Sequence, residues 1–97
     1  MKIALFLSDE RLKAINIDAM SVLILEVSDG TIANVENNSL YSKDPNYISL
    51  WLLRKQVNVI YILNADDCIR EYFKRMDIEV KTFEDLKEDP ILKLFLL

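Results

Sequence analysis

The chain reads as a single α/β domain with a mixed sheet, its elements in the order β-ββ-α-β-α-β with a short C-terminal helix. Three observations carry that expectation. Residues 3–8 and 57–63 are near-continuous apolar runs, as in strands buried on both faces. Asp29-Gly30 stands between two runs rich in β-branched residues, the strongest short hairpin signal. Ile69, Tyr72, Phe73 and Met76 fall at i, i+3, i+4 and i+7, the spacing of one helix face.

In order, Ile3-Ala4-Leu5-Phe6-Leu7 predicts a central first strand, closed by Ser8-Asp9. Residues 9–20 carry no period and read as a loop. The hairpin follows: Ser21-Val22-Leu23-Ile24-Leu25-Glu26-Val27 is the inner arm, and Thr31-Ile32-Ala33-Asn34-Val35-Glu36, with its interspersed polar residues, is the arm nearer the edge. Gly30, the only glycine, suits a turn position with positive φ. Residues 37–44 are expected to be a polar loop.

Pro45 suits the first turn of a helix, with Asp44 as N-cap and Tyr47, Ile48, Trp51 and Leu52 as its packed stripe. After the buried strand at 57–63 comes the second helix, starting near Asp67. Ile78-Glu79-Val80-Lys81 then forms a short last strand. The β-α-β-α-β succession implies parallel strands joined by right-handed crossovers, and the hairpin adds antiparallel pairing. Thr82-Phe83-Glu84-Asp85 can cap a short helix that Pro90 would interrupt or restart. One domain spans 1–97, with 82–97 as a C-terminal extension whose apolar residues 91–97 must dock on the domain or on a partner.

Bulk properties bound the function. With 97 residues there is room for one core, and an apolar share of 52% beside 29% charged residues describes a folded chain. A net charge of -4 with scattered Lys and Arg argues against nucleic acid as a partner. No apolar stretch has the length of a membrane span, and Lys2 followed by a short apolar run fits a strand better than a signal segment. One cysteine, Cys68, allows no internal disulfide, so a reducing, cytoplasmic setting is expected.

Ligands of open α/β sheets sit outside the carboxyl ends of the strands, which directs attention to Leu63-Asn64-Ala65-Asp66-Asp67. The candidate ligand-binding residues are Asp9, Asn64, Asp66 and Asp67. Asp9 and Asp66, each following a buried strand, could together hold Mg²⁺ for a hydrolase; Asp66 and Asp67 equally suit an N-cap and first helical turn. Cys68 is the candidate metal ligand, or else a small packed residue facing Tyr72. Tyr41, Tyr47 and Trp51 could line a pocket or simply pack. Without histidine there is no Ser-His or Cys-His nucleophile, and no phosphate-binding glycine motif occurs.

Four segments carry a family likeness: Met1-Lys2-Ile3-Ala4, Leu23-Ile24-Leu25-Glu26-Val27-Ser28-Asp29-Gly30, Trp51-Leu52-Leu53-Arg54-Lys55-Gln56-Val57-Asn58-Val59-Ile60, and Tyr72-Phe73-Lys74-Arg75-Met76-Asp77-Ile78-Glu79-Val80. In this order they resemble the dinitrogenase iron-molybdenum cofactor family, the NifX-type proteins and the C-terminal part of NifB-type proteins. The resemblance spans roughly residues 1–82. It implies a three-layer, ribonuclease-H-like fold and an iron-sulfur or iron-molybdenum-type cluster as cofactor.

The chain departs from the family pattern where ligands would stand. Ile15 takes the place of the family's histidine in Lys13-Ala14-Ile15-Asn16-Ile17, Leu63-Asn64-Ala65-Asp66 replaces a glycine-rich turn, and Ser42-Lys43-Asp44 replaces a glycine- and histidine-rich loop. The expectation is therefore a non-enzymatic accessory or binding domain without the usual histidine and glycine motifs, acting through protein contacts or a small ligand at the strand ends. The alternatives are a metallocluster carrier using Cys68 and a Mg²⁺-dependent hydrolase using Asp9 and Asp66. Residues 91–97 could complete the domain's own core, or pair with a protein partner or a second copy.

Overall fold

A computed structural model describes residues 1–8, 11–12, 20–41, 44–90 and 92, with Ser8, Arg11 and Met20 described for the backbone alone. The strands are β1 (Lys2–Ser8), β2 (Arg11–Leu12), β3 (Met20–Ser28), β4 (Thr31–Leu40), β5 (Val59–Tyr61) and β6 (Glu79–Lys81). The helices are α1 (Pro45–Arg54), α2 (Asp67–Lys74) and α3 (Phe83–Glu88). The main sheet has the order β4-β3-β1-β5-β6. β1, β5 and β6 are parallel and β3 is antiparallel to both its neighbours, so the sheet is mixed as expected.

β1 is central because both its faces are apolar. Ala4 and Phe6 join Val22, Ile24, Ile60 and Ile62 under α1 and α2, whose Ile48, Leu52 and Phe73 complete that core. Ile3 and Leu5 point the other way, to Leu25, Val59 and Tyr61, where Leu86 of α3 and Leu92 close a second core. The period of two along the strand thus splits one sequence between two cores and makes three layers.

The hairpin turn is Asp29-Gly30, with φ of 53° and 75°. Both residues left-handed is the geometry that matches strand twist in a two-residue turn. β4 is indeed the edge, yet it is longer than expected: residues 37–40 continue the ladder against 20–23 instead of forming a loop. An edge strand open to solvent needs no apolar alternation, so its polar sequence disguised it. The loop expected at 9–20 also contains β2, paired to the end of β1 as Leu7↔Leu12 and Ser8↔Arg11. The remainder of that segment, including Lys13 to Ile17, lies outside the described residues.

The caps follow the sequence. Asp44 accepts the Asn46 N–H at 3.0 Å ahead of Pro45, and Thr82 with Asp85 forms a capping box on α3. Asp89 is extended before Pro90, which ends α3. On α1, Ile48 and Leu52 are buried and Trp51 is partly so, but Tyr47 lies 52% exposed and leaves the expected stripe. Leu86 and Leu92 bring the start of the C-terminal extension into the domain's core. The rest of 91–97 lies outside the described residues. Among the described residues no helix is long and apolar enough to cross a membrane.

Candidate functional site

The crossover from β5 to α2 sets the site. β5 is only three residues long, and Ile62 still donates its N–H to the Lys81 carbonyl at 3.0 Å before the chain turns outward at Leu63. Leu63 anchors the return from β6 by accepting the Phe83 N–H at 3.5 Å. Asn64, Asp66, Asp67 and Cys68 all present exposed side chains in this turn, so the structure brings four of the sequence-predicted positions together at the carboxyl ends of β5 and β6. Asp9 lies outside the described residues.

Asp66 is engaged in structure. Its backbone is extended (φ -87°, ψ 175°) and its Oδ1 accepts the Ile69 N–H at 2.9 Å, which makes it the N-cap of α2. Asp67 follows in the first turn, where a negative charge complements the helix dipole. The carboxylate pair therefore has an explanation in helix initiation, and a two-carboxylate Mg²⁺ site would have to share Asp66 with that cap.

Cys68 is a free, exposed thiol, not the small packed residue that an i+4 relation to Tyr72 suggested. The α2 stripe explains this. Phe73 is buried with Ile69, Tyr72 and Met76 partly covered around it, and a residue one place before Ile69 is turned about 100° away on a helix of 3.6 residues per turn. Among the described residues there is no group of three or more Cys, Asp and Glu side chains placed to hold a metal ion. A cluster needs several thiolate or imidazole ligands, so this chain's described donor set does not by itself fit one.

β2 is the feature that sequence reading missed. Leu7 pairs with Ser21 on one side and Leu12 on the other, and residues 3–5 of β1 pair with β5 on that same second side. β2 thus continues beside β1 where β5 has ended, and Leu12 is buried in the second core. Two residues are too few to carry a periodic signal.

Beneath the turn, burial pushes the Tyr61 phenol up to about 12, helped by the Asp89 carboxylate that accepts its hydroxyl at 3.5 Å. Tyr61 is neutral in any physiological setting and supports the second core. Two open grooves lie elsewhere. One of about 380 Å³ runs between Arg70 and Lys74 of α2 and the outer side of β6, and one of about 510 Å³ lies at the amino ends of the strands, between Lys2, Glu26, Leu53 and Met76. In the first, Arg70 donates to the Val80 carbonyl at 3.0 Å. Glu79 N–H and the Lys81 carbonyl bond toward β5, so Val80 faces the free edge and Arg70 covers it.

The architecture has a counterpart among solved structures. The crystal structure of PH0822 superposes with a TM-score of 0.73 over 98% of this chain and 88% of that one, at 13% sequence identity. At that identity the likeness is one of fold, a single-domain, three-layer α/β class. No family model matches the chain, and no curated protein matches it either.

Proposed function

We propose that the chain is a non-enzymatic accessory or binding domain, similar to the NifX-type proteins of the dinitrogenase cofactor family, that engages a protein or a small ligand at the turn from β5 to α2. The observation that carries the reading is the placement of Asn64, Asp67 and Cys68, exposed at the carboxyl ends of parallel strands, where this class of sheet receives ligands. Helix capping accounts for Asp66 but requires nothing of Asn64 or Cys68. The side chains offered are an amide, a carboxylate and a thiol. They suit hydrogen bonding and recognition, and the sequence contains no histidine to serve as a general base or nucleophile partner.

A ¹⁵N-labelled sample titrated with a fragment library tests this reading. Chemical-shift changes should concentrate on amides 63–69 and 82–83. Reproducible binding confined to another surface, with these amides unmoved, would overturn it.

A second reading gains from the exposure of Cys68, because a solvent-facing thiol is free to ligate in company with donors from another chain. Anaerobic incubation with iron and sulfide, followed by desalting and an absorption spectrum beside Cys68→Ala, separates the two. A colourless protein supports the binding domain. A charge-transfer band lost in Cys68→Ala would replace that reading with a metallocluster carrier.

A further inference from the structure

The two edges of the sheet are treated differently. β6 has three residues, and Arg70 covers its outward carbonyl. β4 has ten, contains no proline, carries a single charged residue, Glu36, and among the described residues has no strand on its far side. A long, nearly uncharged free edge is a template for another strand, and proteins that must stay monomeric block such edges.

The outward backbone groups of β4 can be identified. Met1 and Val27 exchange both hydrogen bonds, at 3.0 and 2.8 Å, so Val27 faces β1. By alternation Leu25, Leu23 and Ser21 also face β1, while Glu26, Ile24 and Val22 face β4. Their partners Asn34, Glu36 and Asn38 are thereby committed to β3, which leaves Val35, Asn37 and Ser39 with their N–H and C=O groups turned outward.

We propose that two copies of this chain associate through their β4 strands, antiparallel about a twofold axis at Asn37, to form one sheet continuous through both protomers. Centring at Asn37 is selected by charge and hydrogen-bonding complementarity. Val35 then lies opposite Ser39 of the second copy, and Asn37 opposite itself. An amide carries both donor and acceptor, so it can pair with its own symmetry mate. Glu36 lies opposite Asn38, the type of partner it already accepts from at 2.9 Å within its own chain, while Lys55 neutralises it at 3.3 Å. Centring one residue earlier would set Glu36 against Glu36, a direct repulsion.

The flank of α1 beside this edge fits the same occupant. Asn46 of α1 accepts a hydrogen bond from Tyr72 and Leu53 shares a groove with Met76, so that flank of the helix faces α2. Tyr47 and Trp51 lie on the opposite flank, where Lys55 stacks over Trp51 at 5.9 Å while reaching Glu36 of β4. Tyr47 is 52% exposed and Trp51 partly so. A β4 junction brings the two α1 helices side by side on one face of the joint sheet and covers these rings, which the fold of one copy leaves unexplained.

Sedimentation equilibrium of the full chain tests the proposal. The wild type should sediment at twice its 11.3 kDa mass. Asn37→Lys places like charges opposite each other at the axis and should raise the dimer dissociation constant by ~10-fold or more, with an unchanged circular dichroism spectrum. Asn37→Pro removes an outward N–H without touching the β3 ladder and should act the same way. A third variant reads the register directly: in Asn37→Cys with Cys68→Ser, the two Cα atoms of a directly opposed pair lie about 5.5 Å apart, within disulfide reach, and air oxidation should yield a covalent dimer. A monomeric wild type would overturn the proposal. So would a dimer indifferent to both Asn37→Lys and Asn37→Pro, which would assign association to another surface such as residues 91–97.

Discussion

Asp66 shows how one side chain can look like a site residue and prove to be a structural one. Its carboxylate accepts the Ile69 N–H at 2.9 Å, the work of an N-cap. Asp66→Ala should therefore cost ~1 kcal/mol in stability, read as a lower urea midpoint, whereas Asp66→Asn, which keeps an acceptor oxygen, should stay near the wild type. Equal losses in both variants would mean that the charge, not the cap, is what matters. The cap was legible because an Asp directly ahead of a helical period is a local signal. The exposure of Cys68 was half legible: the Ile69-Tyr72-Phe73-Met76 stripe excludes it, but the i+4 relation to Tyr72 pulled the other way. Tyr72 is itself only partly buried, so that relation carried little packing force.

Among the elements, those defined by local chemistry matched expectation and those defined by distant partners did not. Asp29-Gly30 fixed the hairpin, and Asp44-Pro45 and Thr82 fixed the starts of α1 and α3. β2 and the last four residues of β4 exist only because β1 and β3 supply their hydrogen bonds. Tyr47 left its helix stripe and lies 52% exposed, because spacing along a helix names a face but not how far the neighbouring layer extends beneath it. The hairpin gives the prediction at this scale. Gly30 has φ +75° and no atom within 4 Å of the place a β-carbon would take, so Gly30→Ala meets backbone strain alone. The expected loss is roughly 1 kcal/mol by thermal or urea unfolding, with the fold retained. A neutral substitution would mean that the turn relaxes to a different type without disturbing the β3–β4 register.

At the scale of the molecule, the same sheet must hold two cores at once. Phe73 seals the layer of α1 and α2, Leu86 seals the layer of α3, and each is 1% exposed. β1 couples them, because Ala4 and Phe6 belong to one core and Ile3 and Leu5 to the other. Truncation of a buried side chain costs the transfer energy of the lost atoms plus the cavity left behind. Phe73→Ala should thus destabilise by ~3–5 kcal/mol and Leu86→Ala by ~2–5 kcal/mol. If the sheet transmits both losses, each variant unfolds in one transition, with far-UV dichroism and Trp51 fluorescence changing at the same denaturant concentration. Trp51 reports from the α1 layer, on the opposite face from Leu86, which makes the second variant the informative one. Should Leu86→Ala lose helical signal at lower urea while Trp51 stays unchanged, α3 and the residues after it would be a separately melting layer, and the extension from residue 82 would be an addition to the domain instead of a part of its cooperative core.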